Sequence, residues 1–235
     1  MTSNQSLENL QTALRFGTIE LKGQFTLGSN YTFLADVTHA GETVQAVYKP
    51  SRGEQPLWDF PENTLALREV AAHLLSEALG FCLVPFTILR DGPLGRGSLQ
   101  QYIEYDPDYH YFNFTGDDKQ RLQPVVLFDL LVNNADRKGG HVFFDESLKL
   151  WAIDHGLCFH VEDKLRTVIW DFAGRPIPEE LLSPLSRTLG WRGLLDPYLS
   201  PDEIAALEAR AKRLLTSRRY PRPPADRRAF PYPPL

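Results

Sequence analysis

The chain has 235 residues, 43% of them hydrophobic and 23% charged, enough for one sizeable core or two small ones. Its net charge of −5 argues against a dedicated nucleic-acid binder. Two cysteines, Cys82 and Cys158, form neither a disulfide framework nor a zinc pattern, and no apolar run reaches the roughly 18 residues of a membrane span. With no leader-like segment at its start, the chain reads as cytoplasmic.

The polar stretch from Met1 to Gln11 reads as frayed. Three short strands follow, around Ile19–Lys22, Tyr31–Val37 and Val44–Lys49, the last stopped by Pro50, and together they predict an antiparallel meander. The segment from Ser51 to Pro61 reads as an ordered loop pinned by Trp58 and Phe60. A helix is expected from Thr64 to Leu79, with Asn63 as its N-cap and Gly80 as its stop. Phe86–Leu89 and Gly97–Ile103 read as two more strands.

The composition then changes. Tyr105–Asp118 is a connector, Val125–Asn133 an apolar helix, and Val142–Phe144 with Leu148–Ile153 a hairpin. Helices return at Pro178–Leu189 and Pro201–Ser217. The last fifteen residues hold six prolines and read as an extended tail, either solvated or binding a partner or an anionic surface. These elements predict an α+β protein of two lobes: an N-lobe over 12–103 with an antiparallel sheet and one helix, a mainly helical C-lobe over 104–216, and a tail over 217–235.

Four features carry chemistry, in the order that phosphoryl transfer needs them. Lys49 ends a strand and can act as a point charge on phosphate oxygens, or be a solvated lysine. Glu69, on the next helix, can hold Lys49 in place, or be an exposed helix acid. The segment Asn133–His141 is dense in polar groups. In it Asp136 would orient or deprotonate an attacking hydroxyl, Arg137 or Lys138 would balance charge, and two glycines would turn His141 toward Asp136. The alternative is a polar turn. Asp154, at the end of an apolar strand and followed by His155-Gly156, suits a metal ligand or a turn-capping acid.

In order and type, Lys49, Glu69, Asp136, His141 and Asp154 resemble the working residues of protein-kinase-like folds. Asp136-Arg137-Lys138-Gly139-Gly140-His141 is similar to the Asp-Arg-His-x-x-Asn loop of the phosphoinositide 3-/4-kinase superfamily and its HipA-like relatives. Several segments, among them Tyr48-Lys49-Pro50, Pro56–Pro61 and Arg68-Glu69-Val70-Ala71, resemble an uncharacterised bacterial family annotated by analogy as phosphatidylinositol kinase. The resemblance implies a two-lobed kinase-like fold, ATP with Mg²⁺ or Mn²⁺, metal ligation by His141 and Asp154, and catalysis by Asp136 with Arg137 and Lys138. It implies nucleotide contacts at Lys49, Glu69 and Ser29, the last within a glycine-flanked segment that is equally a plain hairpin turn. The nucleotide base is expected against the backbone of Gln101, Tyr102 and Ile103.

Three residues depart from that pattern. His141 stands for asparagine, Lys138 for histidine, and His155 for the phenylalanine of Asp-Phe-Gly. An imidazole favours softer ions than magnesium. The functions implied are an ATP-dependent kinase for an unknown hydroxyl acceptor, a pseudokinase acting through protein partners, or a nucleotidyl transferase. The stretch Leu157–Gly174 lacks a cationic run suited to a phosphoinositide headgroup, which favours a protein or small-molecule acceptor over lipid.

Overall fold

The computed structural model describes residues 3–25 and 31–235. The fold is α+β, and the chain divides into two compact units, Met1–Val70 with Pro85–Ile103, and Ala71–Val84 with Glu104–Leu235.

The first unit is a five-stranded antiparallel sheet of order β1-β2-β3-β5-β4, formed by β1 (Thr18–Gln24), β2 (Phe33–His39), β3 (Glu42–Pro50), β4 (Thr87–Gly92) and β5 (Gly95–Gln101). Helix α1 (Ser3–Phe16) precedes it, so the expected frayed start is instead a helix. Leu14 of α1 is fully buried with Ala35, Val37, Ala46, Tyr48, Phe86 and Leu99 of the sheet unit. Arg90 donates to the carbonyls of Leu14 and Gly17 at 2.7 and 2.9 Å, a cation at the open C-terminal end of α1. Alternation along β3 buries Ala46 and Tyr48 on one face and sends Lys49 to the other. Where β5 meets the end of β3, a Cβ on Gly97 would lie 2.3 Å from the Lys49 carbonyl oxygen, so only glycine admits this approach.

Helix α2 (Leu65–Ala78) follows the detour Ser51–Thr64, and the division between the units falls within it. Its N-terminus is not capped by Asn63, which sits at φ 60°. The Glu54 carboxylate accepts from the Leu65 and Ala66 amides at 3.2 and 3.0 Å. Phe60 is buried beneath the Arg68 guanidinium, whereas Trp58, expected to pin the loop, is 91% exposed.

The second unit is mainly helical, with α3 (Gly116–Gln120), α4 (Gln123–Val132), α5 (Glu179–Leu182), α6 (Trp191–Leu195) and α7 (Pro201–Ser217). The helix expected over Pro178–Leu189 is one turn of α5 continued as 3-10 helix over Ser183–Gly190. Seven of the ten α4 residues are buried, and all of them but Asp129 join Ile204, Leu207, Ala211 and Leu214 of α7 in one core with Ala71, Ala72 and Leu75 of α2. A reciprocal capping box between Ser200 and Glu203 starts α7. Strands β6 (Val142–Phe144) and β7 (Leu150–Ala152) form the expected hairpin.

The proline-rich tail is extended and exposed along most of its length, but it is fastened to the second unit at several points. Tyr220 is buried, its amide and carbonyl pair with Arg175 and Gly174, and Ala229 is buried beside Thr167. Prolines lower the entropy lost on ordering, so a few backbone acceptors suffice to hold such a segment. Among the described residues, no helix is long and apolar enough to cross a membrane.

Candidate active site

In the first unit, Lys49 Nζ forms an ion pair with Glu69 Oε1. The lysine side chain is 22% exposed and the glutamate 4%. The pair arises because Lys49 leaves the sheet on the face opposite Tyr48, and Glu69 lies on the first turns of α2, flanked by buried Arg68 and Val70. Ser29 lies outside the described residues. The amide of Gln101 donates to the Phe86 carbonyl and that of Tyr102 to the Gln45 carbonyl, at 2.8 and 3.2 Å. Two of the backbone donors expected to meet a nucleotide base are therefore committed to the sheet. Ile103 follows them as the last residue of the unit.

In the second unit, α4 ends at Asn133 in the left-handed conformation, φ 58°, and throws the chain into the loop 134–141. Asn133 donates its side-chain amide to the His160 carbonyl at 3.0 Å and accepts from Lys164 at 2.9 Å. Asn134 Oδ1 accepts from the Asp136 amide at 2.9 Å, an Asx-type turn that sets the backbone of Asp136. On either side of Asp136, the Ala135 amide donates to Leu157 and the Arg137 amide to Arg166, stitching the loop to the segment after β7.

Arg137 is not a residue that meets substrate. It is fully buried, and all five of its N–H groups are used. Two go to Asp129 of α4 at 2.8 and 3.0 Å, two to the carbonyls of His141 and Ile153 at 3.1 and 2.7 Å, and one to His155 Nε2 at 2.8 Å. Arginine only donates, so His155 accepts at Nε2 and carries its proton on Nδ1 as a neutral ring. Burial opposes the guanidinium charge, but the Asp129 carboxylate outweighs it and raises the pKa. The residue expected to balance charge at the substrate is thus an internal tie between α4, the loop and the end of β7.

Asp136 keeps part of its side chain, 28%, at the surface, and Lys138 Nζ lies 3.7 Å from its Oδ2. Burial pushes its carboxyl up to about 6; Lys138 opposes this and Asp154 adds to it. The conjugate base of such a group forms near neutrality and is well matched to proton transfer. Asp154, at φ 61°, is held in the left-handed region at the end of β7, and its Oδ2 lies 3.3 Å from His141 Nε2. The Ile153 amide donates to the His141 carbonyl at 3.0 Å, which registers the two residues across the hairpin.

The structure therefore brings Asp136, Lys138, His141 and Asp154 together, and assigns Arg137 to the frame behind them. Among the described residues, no group of three His, Cys, Asp or Glu side chains is arranged to hold a metal ion. His141 and Asp154 offer an imidazole and a carboxylate, two donors of a kind that a divalent ion could take only with water or phosphate oxygens completing its shell, and the imidazole suits a softer ion than magnesium. Asp129, Asn134 and His155 carry much of the site's geometry and were assigned no role from the sequence. A signal was present: an aspartate inside the apolar run Val125–Val132 requires a cation, and Arg137 lies eight residues on.

No family model matches the chain. Crystal-structure comparison gives the Helicobacter pylori proinflammatory kinase CtkA at TM-score 0.54 and 15% identity, covering 87% of this chain and 94% of that one. Hydra Fam20 with sugar follows at TM-score 0.59 and 15% identity, covering 92% and 89%. Both likenesses concern the fold, which is protein-kinase-like. In sequence, Rv2133c of Mycobacterium tuberculosis is 37% identical over an alignment 263 positions long, gaps included, covering 92% of each protein, and the chain belongs to the family of that protein.

Proposed function

We propose that this protein is an ATP-dependent phosphotransferase of the phosphoinositide 3-/4-kinase-like superfamily, moving a γ-phosphoryl group to a hydroxyl of a protein or small-molecule acceptor. The observation that carries this reading is the gathering of Asp136 with the His141–Asp154 pair, in which the Asp136 carboxyl has a pKa of about 6. In it, Asp136 takes or orients the acceptor's hydroxyl proton, Lys138 stays close enough to favour the charged carboxylate, and Lys49, kept in place by Glu69, meets phosphate oxygens. Mg²⁺ or Mn²⁺ held by His141 and Asp154 would neutralise charge on those phosphates. The backbone of Gln101, Tyr102 and Ile103 is the candidate surface for the base, with the first two amides already bonded to Phe86 and Gln45.

Lipid is disfavoured as acceptor. In the segment Leu157–Gly174, Lys164 is paired with Glu162 at 3.2 Å and Asp163 with Arg227 at 2.9 Å, so its charges are balanced rather than offered as a cationic surface. Cys82 and Cys158 are both unbridged, which accords with a cytoplasmic protein.

The pseudokinase reading is favoured by one observation. His141 Nε2 lies 3.3 Å from Asp154 Oδ2, a direct contact between the two side chains that could satisfy the acid without a metal. Incubation with ATP labelled at the γ- or α-phosphate, with Mg²⁺ or Mn²⁺, separates the readings. Transfer of γ-label that Asp136→Ala abolishes supports the kinase. Transfer of α-label indicates nucleotidyl transfer. Absence of transfer with either ion, whether or not ATP binds, leaves the pseudokinase.

A further inference from the structure

We infer that the end of the tail is a positioning strap for the catalytic loop: the carbonyls of Ala229 and Pro234 fix the amides of Thr167, which is bridged to Arg137, and of Gly139, three residues after Asp136. The inference rests on the phosphotransferase reading above.

The Pro234 carbonyl accepts from the Gly139 amide at 2.8 Å, and the Gly139 carbonyl accepts from Tyr111 at 3.2 Å, so this peptide is clamped from both sides. Gly139 is buried, and a Cβ there would meet the Phe112 ring at 2.6 Å and the Leu235 side chain at 3.5 Å. Two residues before it, the Arg137 backbone pairs with Arg166 and Val168 as a parallel bridge centred on Thr167. The Thr167 amide, which faces away from that bridge, donates to Ala229 at 3.1 Å. Loop, Thr167 segment and tail thus lie side by side like three short strands, with Asp136 carried by the first. Arg227 anchors the tail before this point, through the carbonyl and carboxylate of Asp163, both at 2.9 Å.

The chemistry explains why a tail does this. The loop spans Asp136 to His141 with two adjacent glycines, the most freely rotating backbone available. Unsupported, it would sample many placements of Asp136 relative to His141 and Asp154. A strap rich in proline loses little entropy when ordered, and it supplies acceptors through carbonyls, which proline retains.

The test uses two truncations of the full chain, one lacking 233–235 and one lacking 229–235. Both are expected to melt cooperatively and bind ATP with Mn²⁺ within about threefold of the intact chain, while kcat falls about ten- to hundredfold, as a small misplacement of a catalytic group does. Amide exchange is read in parallel. The Gly139 amide should lose protection in both truncations, and the Thr167 amide only in the longer one. A peptide of residues 222–235 added in trans should restore kcat to the longer truncation. Unchanged kcat overturns the inference, and a raised kcat shows that the tail blocks the site instead. If the intact chain transfers no phosphate at all, the phosphotransferase reading fails on its own. The exchange at Gly139 and Thr167 then still decides whether the strap holds the loop, with unchanged protection overturning it.

Discussion

The guanidinium of Arg137 and the carboxylate of Asp129 face one another through two hydrogen bonds of 2.8 and 3.0 Å, with side chains 0% and 2% exposed. Breaking such a pair leaves a charge inside the protein and costs about 3–5 kcal/mol. Arg137→Met is therefore expected to unfold at much lower denaturant than wild type. Arg137→Lys should recover little, because an ammonium cannot reach five acceptors arranged for a planar fork. Chemical denaturation of the two variants checks this, and a stable Arg137→Met protein would contradict the assignment.

Lys49→Met is expected to weaken nucleotide binding about tenfold or more, with a smaller effect for Glu69→Gln. Because Glu69 acts through Lys49, the double variant should bind no worse than Lys49→Met alone. Calorimetric titration with ATP and Mn²⁺ measures all four proteins. Additive losses would mean that the two residues act separately.

Asp136 predicts a particular dependence on pH. Its folded pKa of about 6 lies above the ordinary 3.8, so its contribution to stability is most favourable below pH 4 and is lost as pH rises through 6. In chelator, Asp136→Asn should match wild type near pH 4 and exceed it by about 1–3 kcal/mol at pH 7.5. Wild-type turnover should rise between pH 5 and 7 as the carboxylate forms, and the variant should show no turnover across that range.

His141→Asn is expected to shift the preferred ion from manganese toward magnesium, since a carboxamide oxygen is a harder ligand than an imidazole. Asp154→Ala should abolish metal-dependent nucleotide binding. Affinities for ATP in each ion test both, and a His141→Asn protein with wild-type ion preference would remove His141 from the ligand set.

The elements that sequence reading placed well are those whose determinants are local. The strands of the sheet announce themselves by alternation and by Pro50, and α4 by an unbroken apolar run. Lys49 and Glu69 were legible through their spacing on consecutive elements. Helix α1 was not, because its buried side is no more than a short stripe including Ala13 and Leu14, completed by the sheet. Arg137 was misplaced because its partners are two side chains and two carbonyls brought together only by folding. The fastening points of the tail were not legible because composition reports apolar side chains, whereas Ala229 and Pro234 are held by their carbonyls.

The Glu54 carboxylate reaches across eleven residues to the first turn of α2, so a single side chain closes the Glu54–Leu65 detour into a non-covalent ring. Closing a ring depends only weakly on its circumference, about 0.6 kcal/mol for each doubling of length. The residues between the two ends, apart from Phe60 buried beneath Arg68, therefore form an exchangeable cassette, with the exposed Trp58 at its rim. Insertions or replacements there should leave the sheet and α2 intact as long as Glu54 stays, and Glu54→Ala should loosen the whole segment at once.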